Sequence, residues 1–275
     1  MNLFHEIMRA APFQPATNFW RAVELNAIRQ LGLPPGRGLD LGCGDGELTR
    51  ILLHITDHKN CELVGVDLDP LETKHAAATG LYSKVHTTSA TAIPEKDSSF
   101  DFIFSNSVLE HIKPIDDVLQ EVARILKSGG IFILTVPGPG FHACLRGPIF
   151  GGDKQHYNEE IDRRCAHLRY WPLETWTDQL AQAGFRIDYS REYLSCRQLR
   201  TWERISALTG GLLYRLAGKR QQPIEIQRRF RMRDNPHSMA STVARLLSRL
   251  LIHGSTSADD SPGPYACLLI QAVKD

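Results

Sequence analysis

The 275-residue chain has no uninterrupted apolar run of the roughly 18 residues a membrane-spanning helix needs. Its first ten residues lack the charged-then-apolar form of a secretory leader, because His5, Glu6 and Arg9 break the apolar pattern. Cysteine is sparse. The six residues Cys43, Cys61, Cys144, Cys165, Cys196 and Cys267 are scattered and none forms a C-x-x-C pair. That argues against a zinc ribbon or a disulfide framework and for a reduced, cytoplasmic protein. No repeat of solenoid length is present. Net charge is nearly absent, at +1.

The small net charge conceals an asymmetry. Residues 196–252 hold twelve Lys/Arg against three Asp/Glu, and the remainder of the chain is acidic. A segment this basic inside an acidic chain marks a separate surface. Otherwise the composition, 42% hydrophobic and 23% charged, is that of an ordinary soluble globular protein. The length suits one large α/β domain or a domain with an insert.

Apolar periodicity predicts a helix over Thr17–Leu31, ended by Pro34-Pro35-Gly36. Short apolar runs at Gly38–Leu41, Leu63–Val66, Phe100–Phe104 and Ile131–Val136 read as buried strands. They alternate with helical patterns at Glu47–Ile55, Leu71–Thr79 and Ile115–Leu126. That alternation implies βαβ units and a parallel sheet. Residues 137–169 read as a long irregular stretch, a length usually associated with function. A helix over Pro172–Ala183, capped by Gly184, and strands over Phe185–Tyr193 and Tyr265–Val273 follow. Two further helices, 197–217 and 238–252, are expected in the basic segment.

The strongest chemical signal is Gly38-Leu39-Asp40-Leu41-Gly42-Cys43-Gly44-Asp45-Gly46, a strand leading through a glycine turn into a helix. Glycines there allow a ligand to lie against bare backbone at the strand's carboxyl end. Asp40 is placed where a carboxylate can accept from an ammonium group. A second strand, Leu63-Val64-Gly65-Val66-Asp67, ends in an acid suited to both hydroxyls of a ribose. The alternatives are a tight structural turn and a solvated Asp67.

With Ala92-Ile93-Pro94, Phe100-Asp101, Val108-Leu109-Glu110-His111 and Leu126-Lys127-Ser128-Gly129-Gly130, these blocks resemble the class I S-adenosylmethionine-dependent methyltransferases, in the subgroup of quinone-biosynthesis enzymes. The resemblance covers residues 15–190 and the last strand. It implies a Rossmann-like α/β fold: a seven-stranded, mostly parallel sheet with an antiparallel last strand, helices on both faces and a basic helical insert before that strand. It implies S-adenosylmethionine as cofactor, S-adenosylhomocysteine as product and no metal. Asp40, Gly42, Cys43 and Gly44 would hold the amino-acid end, Asp67 the ribose, and Leu68 would pack on the adenine. Asn106 would lie near the methionine moiety. Where the family carries an acid for the adenine amino group, this chain has Ser89-Ala90-Thr91, so Ser89 and Ala90 take that place. Arg21, on a helix resembling a lid, would pair with the cofactor carboxylate or simply be a solvated helix arginine. The domain expectation is a lid region at 1–36, a cofactor domain at 37–195 and 262–275, and an insert at 196–261.

Transfer from a sulfonium needs chiefly alignment, and a base only when the acceptor keeps a proton. Three histidines are candidates for that base. His111 is either the base or a residue packed beneath the cofactor. His156 is a base or a solvated loop residue, and His167 either faces the acceptor or anchors the following helix. Their spacing does not suit zinc. The expected reaction is O-methylation of a small-molecule or a lipid- or glycan-linked acceptor. C-methylation of a quinone-like precursor and a non-catalytic binding protein are the alternatives, with a nicotinamide-dependent oxidoreductase behind them. Residues 196–252 are two helices with a solvated basic face, or a cap over the acceptor pocket that also touches the inner face of an anionic membrane or binds an anionic acceptor. Nucleic acid ranks below both, since no RNA-binding module or basic–aromatic interleaving is present.

Overall fold

The computed structural model describes residues 3–58, 61–148, 151–209, 242 and 263–275. Its elements run α1 (Leu3–Ala10), α2 (Pro15–Leu31), β1 (Gly36–Leu41), α3 (Glu47–Ile55), β2 (Cys61–Asp67), α4 (Pro70–Ala78), β3 (Lys84–Thr87) and β4 (Phe100–Asn106). A 3-10 turn (Leu109–His111) precedes α5 (Ile115–Ile125), β5 (Leu126–Pro137), α6 (Gly140–Cys144) and α7 (Lys154–Cys165). The chain continues through α8 (Leu173–Gln182), β6 (Phe185–Ser195), α9 (Cys196–Leu208) and β7 (Tyr265–Lys274). These elements divide between two compact units.

One unit comprises residues 27–139, 168–192 and 267–275 and contains the sheet. The strand order is β3-β2-β1-β4-β5-β7-β6. β1 pairs in parallel with β2 and β4, β2 with β3 and β4 with β5, while β7 runs antiparallel to β5. Order reverses between β1 and β4, the switch point at which open α/β sheets bind ligands. Strand periodicity accounts for the layers. Leu39, Leu41, Val64, Val66, Ile103, Phe132 and Leu134 join one buried cluster, which Val118, Leu119 and Val122 of α5 and Trp176 and Leu180 of α8 enter. The intervening Phe102 and Phe104 are fully buried and stack on one another. This is the seven-stranded fold the resemblance implies, and β3 is the strand that no apolar run predicted. Lys84-Val85-His86-Thr87 carries no apolar run, and pairing with Val64–Asp67 makes it a strand.

The other unit comprises residues 3–26, the described part of 140–167, and 193–209 with 263–266. The N-terminal helices, the stretch after β5 and the start of the basic segment fall together in this unit. The stretch expected to be irregular contains α6 and α7. α7 is capped by Asp153, whose side chain accepts from the amides of Gln155 and His156. Phe141, Trp20 and Trp202 meet edge to face or tilted, with ring centroids 5.7–6.0 Å apart. The expectation of six reduced cysteines also fails, because Cys144 and Cys196 form a disulfide. Fifty-two residues separate them in sequence, and only the apposition of α6 and α9 brings them together. Glu203 of α9 is buried and accepts from the amides of Arg146 (3.0 Å) and Gly147 (3.4 Å) and from the Tyr157 hydroxyl (2.7 Å). The remainder of the helix expected at 197–217 and all but Thr242 of that at 238–252 lie outside the described residues. No helix among the described residues is long and apolar enough to cross a membrane.

Candidate active site

The site is built at the carboxyl edge of the sheet, where β1 gives way to the glycine turn. Gly42 and Gly44 take φ of +81° and +53°, which a side chain tolerates poorly. The amides of Gly42 and Cys43 both donate to the Val66 carbonyl, at 2.8 and 3.0 Å, tying the turn to the end of β2. A Cβ at Gly42 would fall 2.3 Å from a methyl of Val108, so the chain leaving β4 presses directly on the turn. A Cβ at Gly44 would meet nothing within 4 Å. The turn therefore has one packed side and one bare side on which a ligand can lie.

Asp67 sits at the end of β2 beside that bare face. One carboxylate oxygen accepts from the Gly44 amide at 3.0 Å, and the other from the Asp69 amide at 2.9 Å. Both oxygens are thus oriented by backbone and keep lone pairs for a diol. The next residue, Leu68, is 74% exposed, an apolar surface suited to a flat base. On the neighbouring loop, Ser89 is exposed and its hydroxyl lies 2.8 Å from that of Thr91, with Ala90 partly buried against the core. The loop is fixed to α5, since Ile93 donates to Glu121 at 2.6 Å and accepts from Arg124 at 2.9 Å. Asn106 ends β4 in register with Thr135 and is nearly buried. Ser107 follows at φ +49°, its amide bonded to both the carbonyl and the hydroxyl of Thr135.

Asp40 and Cys43 are both buried at the turn. Asp40 is 2% exposed and lies beneath the turn, accepting from Thr49 Oγ1 at 2.5 Å and from the Tyr82 hydroxyl at 2.6 Å. Burial pushes its carboxyl up to about 6, against the pull of those two hydroxyls. Through these bonds Asp40 ties the end of β1 to α3 and to the segment after α4. Cys43 is likewise buried and contributes backbone to the turn. Burial and the nearby Asp40 and Asp67 push its thiol up, so it stays protonated. Tyr82 and Thr49 carry no motif, and sequence reasoning missed both.

His111 lies on the 3-10 turn after β4, in the same unit as the glycine turn and Asp67. Its ring is 38% exposed and its Nε2 is 3.8 Å from a carboxylate oxygen of the fully buried Glu110. His156 and His167 belong to the other unit. His156 is an exposed first-turn residue of α7, not a loop residue. His167 follows the left-handed Ala166 that ends α7, and its ring packs edge to face on Trp20 and Phe141 at 6.1 and 5.5 Å. Arg21, also in that unit, donates to Glu24 at 2.6 Å, and Glu24 is fully buried and also accepts from Tyr193.

The methyltransferase-domain family matches residues 4–190 of the chain. An uncharacterized methyltransferase of Schizosaccharomyces pombe is 32% identical over 215 residues, covering 70% of this chain and 77% of that protein. A malonyl-(acyl-carrier protein) O-methyltransferase of Methylococcus capsulatus is 33% identical, over 44% of this chain and 45% of its own length. Among solved structures, a methyltransferase of Thermotoga maritima aligns with a TM-score of 0.57 at 18% identity, over 96% of this chain and 93% of that one. The cyclase SpnF aligns at 0.54 and 20% identity, over 92% and 80%. Likeness at such identity establishes the fold alone, and the cyclase shows that the fold does not fix the reaction. The bare face of Gly44, the oriented Asp67 and the exposed Leu68 fit the amino-acid, ribose and adenine parts of S-adenosylmethionine. The chain belongs to the methyltransferase-domain family and is an S-adenosylmethionine-dependent methyltransferase.

Proposed function

We propose that the enzyme methylates an oxygen of a small-molecule or a lipid- or glycan-linked acceptor, with His111 as the base. The observation that carries this reading is the pairing of an accessible imidazole with a buried carboxylate, His111 with Glu110, at the same sheet edge as the glycine turn. The cofactor, when bound, supplies a methyl on a positive sulfur that departs as a neutral thioether. The protein's share is therefore orientation and one proton. The Glu110 carboxylate favours the imidazolium that forms when His111 takes the acceptor proton. Asp67 and Leu68 hold the nucleoside end, the turn and Asn106 the amino-acid end, and Asp40 acts from beneath. Relatives named for O-methylation support the choice of oxygen, including a ubiquinone biosynthesis O-methyltransferase of Brucella anthropi at 29% identity. That match covers 36% of this chain and 41% of the relative, so the acceptor is not transferred from it.

α9 supports contact with an anionic surface. Arg197, Arg200 and Arg204 recur at helical spacing on its exposed side, and Leu208 beyond them is 60% exposed. Cosedimentation of the full chain with anionic vesicles should fall to the level seen with neutral vesicles when all three arginines become glutamine. Equal binding to both vesicle types would remove this contact.

The reaction itself is tested by transfer of labelled methyl to a panel of phenol, carboxylate, amine, thiol and activated-carbon acceptors. Oxygen acceptors should be favoured. His111→Gln should lower turnover on them by about 100-fold or more, in line with the contribution of a general base. Preferential labelling of carbon or nitrogen, or full turnover by His111→Gln, would overturn the reading.

A further inference from the structure

We infer that Arg169 is the positioning residue that fixes the turn carrying Glu110 and His111. The inference rests on the reading of His111 as base but is tested independently of it.

The turn leaving β4 is held by two consecutive residues that arrive from a distant part of the chain. The Arg169 guanidinium donates to the carbonyls of Leu109, Ile112 (2.6 Å) and Lys113 (3.3 Å). The Leu168 amide donates to the Glu110 carbonyl at 2.9 Å. Four of the five carbonyls from Leu109 to Lys113 therefore accept from residues 168 and 169. A planar fork of donors can span carbonyls on both sides of a turn, and a lysine's point charge cannot. The guanidinium also stacks over Trp171, 5.0 Å from the ring centroid. Trp171 in turn packs at 5.1 Å against Trp176, which is fully buried in the sheet core. The chain of contacts runs from the core through two tryptophans and one arginine to the turn.

The electrostatics agree. Glu110 has no exposed surface, and an unbalanced buried carboxylate is costly. Burial lowers the Arg169 pKa, while the fields of Glu110 and Asp116 act the other way. A cation desolvated at this cost serves both the backbone of the turn and the carboxylate beside His111. All of these residues belong to the sheet unit.

The test is histidine NMR on the full chain, with His111→Gln used to assign the His111 ring resonance. Arg169→Ala should move that resonance toward the position of free histidine and raise amide exchange across residues 109–113 by about tenfold or more. Millimolar guanidinium should restore the resonance. Arg169→Lys, which keeps the charge and guards against a folding failure of the alanine variant, should show the same displacement. A folded variant whose His111 resonance and amide exchange stay at wild-type values would overturn the inference, as would a lysine that fully replaces the arginine. Should His111→Gln retain full methyl transfer while Arg169→Ala still displaces the resonance, the base reading fails and the positioning of the turn stands.

Discussion

The two units of the molecule differ in what holds them together, the ladder of a sheet in one and side-chain ties between helices and loops in the other. In the sheet unit, successive βα segments pack on their neighbours, and the glycine turn, Asp67 and the end of β4 line up because parallel strands share a carboxyl edge. In the helical unit the ties are long-range. Cys144 bonds to Cys196, Tyr157 and the 146–147 backbone to Glu203, and Tyr193 to Glu24. Backbone pairing lets apolar runs predict the sheet unit, whereas the helical unit depends on particular side-chain partners that no run of sequence marks.

The largest effect that sharpens this contrast concerns the disulfide. Cys144→Ser or reduction should cost about 2–4 kcal/mol of stability, the usual worth of a bridge closing a loop of this length. Hydrogen exchange should rise in α6 and α9 and stay unchanged in β1, β2 and β4. Equal loss of protection in both units would break the contrast.

The next effect, somewhat smaller, comes from Asp40. Its carboxyl is raised to about 6 in the folded protein against an ordinary value of 3.8, so the folded state binds more protons between these values. This group's contribution therefore falls as pH rises from about 4 to about 6, by up to roughly 3 kcal/mol. Asp40→Asn should abolish that component, seen as a flatter dependence of the unfolding midpoint on pH across this window. An unchanged slope in the variant would show that Asp40 titrates normally.

Smaller still is the break at Arg21. Removing it takes a charged donor from the fully buried Glu24, which also accepts from Tyr193. Arg21→Ala should lower stability by about 1–2 kcal/mol, as when one partner of a buried charged hydrogen bond is lost. S-adenosylhomocysteine affinity should stay within about threefold. A loss of affinity without a loss of stability would instead place Arg21 on the cofactor.

Legibility followed the same division. Strands β1, β2, β4 and β5 and helix α3 announce themselves through apolar runs and 3.6-residue spacing. The turn at Gly42–Gly46 and the acid at Asp67 stand at the ends of those runs. β3 was hidden because its side chains are mixed and its identity comes from pairing. α7 was hidden because its residues are polar nearly all round, with only Glu160 and Ile161 buried, so no apolar stripe marks it. The partners of Asp40 were invisible for another reason. Thr49 lies on α3 and Tyr82 in the segment between α4 and β3, and they carry no spacing relative to each other. The same holds for Arg169, whose function depends on carbonyls 56–60 residues earlier in the chain.

We propose that the sheet edge recognises S-adenosylmethionine through Asp67 and the glycine turn. Calorimetric titration of S-adenosylhomocysteine into wild type, Asp67→Ala and Cys144→Ser tests it most directly. Two charge-assisted hydrogen bonds to a ribose diol are together worth about 3 kcal/mol. Asp67→Ala should therefore weaken binding by about 100-fold, while Cys144→Ser binds as wild type does. Wild-type affinity in Asp67→Ala would contradict the claim.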